Sequence, residues 1–168
     1  EVIIMGGAAT VAGNVTPYAE FNIWADPEAA RLVLQSGLPI TLVGLDVTHR
    51  VILSKREVNK RLMAEPNPLS RFIQDCTGKY MEFHKKVEGF EGCYLHDPLA
   101  VGVAIDPSMV DRKRIPLEVV VVTGPRRGQT KPFPSIQSTG EPSTVEVCLY
   151  VKDEEFLSSF LERVYKYE

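Results

Sequence analysis

Two nearly continuous apolar runs, Glu1-Val-Ile-Ile-Met5 and Pro39-Ile-Thr-Leu-Val-Gly-Leu45, enclose a strong helix signal, and that order constrains the fold more than any other feature. Strands this apolar have both faces covered, as in a parallel sheet. Between them, Asp26-Pro27 reads as N-cap and first helical residue, Ala30, Val33 and Leu34 share a face, and Gly37 is the stop. Strand, helix, strand in this arrangement predicts a right-handed crossover between parallel neighbours. The chain leaves the first strand through Gly6 and Gly7, which permit a sharp backbone turn. In open α/β sheets, ligands bind at loops beyond the carboxyl ends of strands. Residues 6–25 occupy that place and carry Asn14, Thr16, Glu20 and Asn22, while Asp46-Val47-Thr48-His49 follows the second strand to the same edge.

Downstream, residues 55–64 read as a charged surface helix, and Asn67-Pro68 opens a long one. Its apolar stripe is predicted at Leu69, Phe72, Ile73, Cys76, Tyr80 and Phe83, with Gly78 costing about 1 kcal/mol relative to alanine. His84, among lysines, is expected to be solvated. Gly89 to Tyr94 reads as a connection into Leu95-His96, Asp97-Pro98 reads as cap and first turn of a helix, and the segment that follows to Ile105 is apolar on all sides, hence buried, ended by Asp106-Pro107. Strands are predicted at 118–123 and 145–151, the second with Val145, Val147, Leu149 and Val151 on one side. A Pro-, Gly- and Ser-rich loop holding Arg126 and Arg127 joins them. A closing helix from Glu154 to Tyr165 turns Phe156, Leu157, Phe160, Leu161 and Val164 inward. The expected architecture is one three-layer α/β domain over residues 1–168 with an open, mostly parallel sheet. Strands 2–5 and 40–45 are adjacent in it, helix 26–36 crosses between them, and the last helix packs on one face.

Composition narrows the function classes. A net charge of -3 gives no footprint for nucleic acid, and no apolar run approaches the roughly 20 residues of a membrane span. Cys76, Cys93 and Cys148 contain no CxxC pair and read as buried thiols of a reducing compartment, so a cytoplasmic protein is expected.

Asn14, Glu20 and Asn22 offer two amides and a carboxylate, a set suited to a polyhydroxylated ligand whose hydroxyls both donate and accept. The same groups could instead satisfy the backbone of their own loop. Phe21 and Trp24 could wall a sugar or a base, or belong to the core. His96-Asp97 has two readings as well. Asp97 is either a helix cap, or a carboxylate holding a metal or a hydroxyl with His96 as proton donor. Arg126 and Arg127 default to a solvated loop. Gly6-Gly7-Ala-Ala-Thr10-Val-Ala-Gly13 fits neither glycine-rich phosphate pattern.

In order, Met5-Gly6-Gly7, Gly13-Asn14-Val-Thr16-Pro17, Ala19-Glu20-Phe21-Asn22, Asp26-Pro27-Glu28-Ala29-Ala30, Leu45-Asp46-Val47-Thr48 and Leu95-His96-Asp97-Pro98 closely resemble inosine–uridine-type nucleoside hydrolases. The resemblance runs over essentially the whole chain. It implies an enzyme that uses calcium and an aspartate-activated water to cleave the N-glycosidic bond of a ribonucleoside. Met5, Asn14, Glu20 and Asn22 would then contact ribose hydroxyls, with Phe21 against the sugar or base. Asp97 would be a calcium ligand that also touches the ribose, and His96 a donor to the leaving base. Carboxylates near the sugar would stabilise an oxocarbenium-like transition state. The resemblance also implies a homo-oligomer. That family opens with an aspartate cluster, D-x-D-x-x-x-D-D, holding most calcium ligands and the general base; these 168 residues contain no D-x-D and no Asp-Asp pair. The sequence therefore resembles the carboxyl-terminal half of such an enzyme, inactive alone. The rival expectation is a non-catalytic ligand-binding or interaction domain derived from that fold.

Overall fold

Val2–Met5 (β1) and Ile40–Val43 (β2) lie side by side and parallel, Val2 opposite Ile40 and Met5 opposite Val43. The computed structural model describes residues 1–133 and 144–165. All four residues of β2 are buried, which is why the run is apolar on both faces. The crossover is made by Phe21–Ala25 (α1) and Pro27–Leu34 (α2). Asp26 caps α2 through the Ala29 N–H, as its sequence predicts, and Gly37 at φ 77° turns the chain back. Of the predicted inner face, Leu34 is buried and Ala30 packs partly, while Val33 is exposed. α1 is not legible in the sequence. It is one turn long, and its cap is Glu20, a residue outside the usual capping set.

The remaining elements are Leu45–Thr48 (α3), Ile52–Ser54 (β3), Lys55–Ala64 (α4), Pro68–Val87 (α5), Gly92–Tyr94 (β4) and His96–Ile105 (α6). Val110–Val119 (β5), Thr130–Pro132 (β6), Thr144–Val151 (β7) and Asp153–Tyr165 (α7) follow a single turn of 3₁₀ helix. The main sheet has the order β1-β2-β7-β5-β6. It is mixed: β1, β2 and β7 run parallel, and β5 and β6 continue it antiparallel. β3 and β4 form a separate antiparallel pair, so the expected connection at Gly89 to Tyr94 contains a strand.

Two clusters sandwich the sheet. α1 and α2 cover Ile40, Leu42, Val145 and Val147 on one face, while α5, α6 and α7 cover Val43, Cys148 and Val151 on the other. Phe156 and Leu161 of α7 are buried, and Leu157, Phe160 and Val164 pack against them as predicted. Val151 departs from its expected partners Val145 and Val147. The ladder skips Leu149, with Asp111 opposite Tyr150 and Arg112 opposite Cys148, and that bulge reverses the facing of the next residue.

Other differences have equally local causes. β5 begins at Val110, eight residues ahead of the predicted strand at 118–123, because its first half is an edge. β6 pairs only with Leu117 to Val119, so Asp111-Arg-Lys-Arg114 face water, as edge strands require. In α5 the buried residues are Ser70, Ile73, Met81 and His84, while Phe72 and Phe83 are exposed, so the inner face lies one position round from the predicted stripe. His84 is 3% exposed, not solvated. α6 buries only Leu99 and Val103 and exposes Val101 and Ile105, where an all-round buried helix was expected. Of the joining loop, residues 134–143 lie outside the described residues.

Cys76 is exposed, contrary to expectation, whereas Cys93 and Cys148 are buried. Burial pushes the Cys93 thiol up to about 11 and the Cys148 thiol up to about 12. Only the thiolate reacts, so a disulfide reagent should titrate Cys76 alone in the native chain and all three after unfolding. Rapid native reaction at two or more sites would contradict this packing.

Candidate functional site

The carboxyl ends of β1 and β2 are pressed together by glycine. The Leu45 N–H donates to the Gly7 carbonyl at 2.9 Å, and a Cβ on Gly44 would sit 2.8 Å from that oxygen. Gly7 itself holds φ 80°. Beyond it, Asp46 takes the Ala9 and Thr10 N–H groups at 2.9 and 2.8 Å, which fixes the loop over the start of α3. Residues 13–19 then curl back on themselves, Val15 N–H and Thr16 N–H both donating to the Ala19 carbonyl. A Cβ on Gly13 would overlap the Ala19 backbone.

This scaffold opens onto a cavity of about 410 Å³, within the range of small-ligand sites. Its lining includes Met5, Asn14, Glu20, Phe21, Asn22, His96 and Asp97, the residues to which the family resemblance gives roles, but not Thr16 or Trp24. His49, Tyr80, Phe83, His84, Glu88 and Tyr94 join them, with Val15 and Val87. These were missed. His49 was legible only as the continuation of Asp46-Val-Thr, and the α5 residues were hidden by the misplaced stripe.

Within the cavity the polar groups divide by engagement. Glu20 is 2% exposed, and its carboxylate accepts from Gly7 N–H at 2.9 Å, Asn22 N–H at 2.8 Å and Ile23 N–H at 3.2 Å. Asn14 Oδ1 accepts from Phe21 N–H at 3.0 Å, so its amide nitrogen is left for a ligand. Asn22 Nδ2 leans on the Met5 carbonyl and sulfur at 3.3 Å, leaving its Oδ1 outward. Both readings of this trio therefore hold in part: each group braces the loop, and the two amides keep unused capacity. Asp97 caps nothing; the N-cap of α6 is Leu95, with no side-chain bond. Asp97 is exposed in the first turn, where the helix dipole favours a carboxylate.

An aromatic and imidazole wall faces these groups. Tyr94 sits 4.5 Å from His49, 5.0 Å from His84 and 5.5 Å from His96 between ring centroids. Burial, then the neighbouring His49 and His84, push His96 down to about 4, so its ring is neutral at pH 7. His49 is lowered too, chiefly by burial. His84 Nδ1 lies 2.9 Å from the Tyr80 carbonyl, which can only accept, so that nitrogen carries a proton and donates it. Phe21 is exposed at the mouth, and Trp24 packs against Gly128 outside the cavity. Arg126 is exposed on its loop, as expected, and lies over Tyr18, whereas Arg127 is half-buried and grips Glu28 at 2.6 and 2.7 Å.

The described residues contain no group of three His, Cys, Asp or Glu side chains able to hold a metal. Asp97 supplies one exposed carboxylate where calcium takes about 6–8 oxygens. Those residues do not by themselves fit the ion. No helix among the described residues is long and apolar enough to cross a membrane.

The same fold recurs in known proteins. A pyrimidine-specific ribonucleoside hydrolase, RihA, of Shewanella sp. (strain MR-4) is 34% identical over 168 residues, which is 99% of this chain and 52% of the relative. The purine-preferring ribonucleoside hydrolase of Gardnerella vaginalis superposes with a TM-score of 0.85 at 36% identity, covering 96% of this chain and 50% of that one. A plant nucleoside hydrolase gives a TM-score of 0.89 at 30% identity, over 98% and 53%. The chain thus spans about half the length of these relatives. The family model for inosine-uridine preferring nucleoside hydrolases matches residues 1–158, and the chain belongs to that family.

Proposed function

We propose that the cavity binds a ribonucleoside and that this chain carries the ribose- and base-contacting part of a hydrolase that cleaves its N-glycosidic bond. The observation that supports this most is the meeting of Asn14, Asn22, Asp97 and His96, from three separate loops and helix starts, around one cavity. Asn14 Nδ2 and Asn22 Oδ1 are a donor and an acceptor aimed at adjacent hydroxyls, with Met5 beneath the sugar. Glu20 contributes the one acceptor site its three backbone bonds leave. Phe21, Tyr80, Phe83 and Tyr94 offer the faces against which a flat base would lie. His96, neutral in this setting, donates a hydrogen bond to the departing base instead of carrying a full charge. In this reading calcium would draw on Asp97 as one ligand among others. A cytoplasmic location, in keeping with three unpaired thiols, and an assembly of identical copies belong to the same reading.

Base preference is open to either class, since the relatives named above include a pyrimidine-specific and a purine-preferring enzyme. Uridine and inosine titrated into the chain, followed by amide shifts, test the proposal. Both should perturb residues 14–22 and 94–97. Asn22→Ala should weaken binding by one hydrogen bond, about 0.5–1.5 kcal/mol, with the fold unchanged. Equal affinity in that variant would return Asn22 to a purely structural role. The alternative, a binding domain without catalysis, draws on the lack of a three-ligand metal group among the described residues. Base release by the chain supplemented with the family's aspartate-bearing segment separates the two, since the chain alone is expected to release none under either reading.

A further inference from the structure

We propose that Thr48 is a positioning residue for His96: its hydroxyl donates to the imidazole Nδ1 and so turns the ring's own proton, on Nε2, into the cavity. This rests on the reading of His96 as donor to the leaving base. Thr48 Oγ1 lies 2.7 Å from His96 Nδ1, across 48 residues of sequence. Thr48 is wholly buried, and among the described residues that nitrogen is its hydroxyl's one partner. A hydroxyl has one proton to give, and a buried one without an acceptor is costly. Were Nδ1 to keep a proton, the Thr48 hydroxyl would have nowhere to direct its own. Nδ1 therefore accepts, and a neutral imidazole with a bare Nδ1 carries its proton on Nε2.

The placement is rigid at both ends. Thr48 ends α3, whose four residues are all buried and whose first N–H is tied to Gly7. His96 opens α6 and is flanked by Tyr94 and His49 at 5.5 and 5.7 Å. Among the described residues, His96 Nε2 has no protein partner, and the ring lines the cavity. His84, set by a carbonyl, has the opposite polarity at Nδ1. A hydroxyl at one ring and a carbonyl at the other thus set the two Nδ1 atoms oppositely, accepting in His96 and donating in His84.

The test is the tautomer itself, read from nitrogen shifts of the histidine rings in isotope-labelled chain without nucleoside. The native chain should show His96 protonated on Nε2. Thr48→Val should lower that tautomer's excess by roughly 2- to 10-fold, the worth of one neutral hydrogen bond, and Thr48→Ser should restore it. A native ring protonated on Nδ1, or an unchanged ratio in Thr48→Val, overturns the proposal. Should the valine variant fail to fold, the native spectrum and Thr48→Ser still decide, since serine must retain the native form. Uridine added to the same samples reads the underlying function separately: no binding with the Nε2 tautomer intact would remove the ribonucleoside and leave the Thr48–His96 geometry standing.

Discussion

Inosine or uridine incubated with the 168-residue chain will release no free base above background, with or without added calcium. The carboxylates of the cavity account for this. Glu20 is committed to three backbone N–H groups, and Glu88 accepts from the Tyr94 hydroxyl at 3.3 Å. Asp46, just behind, is held by the loop it braces. Asp97 alone has no hydrogen-bond partner among the described residues, and one group cannot both hold an ion and act as base. A positioned general base is worth about 10²–10⁴ in rate, and a cation site of one carboxylate falls far short of about 6–8 oxygens. Both deficits bear on the same step, so they compound. Ultraviolet assay of base release, repeated after chelation, is the measurement. Robust turnover that chelation abolishes would mean that base and ligands lie within these residues after all.

What the sequence discloses follows from how local each cause is. Strands β1 and β2 are legible because burial on both faces leaves an uninterrupted apolar run, and α2 because Asp26-Pro27 caps it within four residues. The motif residues of the cavity are legible through the family's ordered motifs, none of which is specific alone. Elements set by distant partners are not. β5 is charged since it is half edge, a property of β6 being short, and Val151 changes face because of a bulge against Asp111. His84 sits in a run of lysines, yet the side of α5 it occupies is decided by packing on β4 and Tyr94. Half of the cavity wall was invisible for that reason. Nor does sequence reveal that Glu20 is spent mostly on its own loop.

Glu20→Ala will cost stability before it costs binding. Its carboxylate is buried and joins three things: the Gly7 turn at the end of β1, and the first two free N–H groups of α1. Removing it strands three backbone donors, each worth about 1–3 kcal/mol when buried and unmet. Water entering from the cavity will recover part of this, so about 3 kcal/mol is the expected loss in urea unfolding, a large share of a domain's total. Gly7, once released, also frees Leu45 and the start of α3, so the Thr48–His96 pair should loosen in the same variant. Glu20→Gln should fall between, because it keeps one acceptor oxygen but turns an amide N–H₂ toward other donors. A group whose main role was to hold a ribose hydroxyl would behave in the opposite way. Its removal would leave the unfolding midpoint in place and weaken nucleoside binding alone, and that outcome would move Glu20 from the scaffold of the loop to the ligand's side of it.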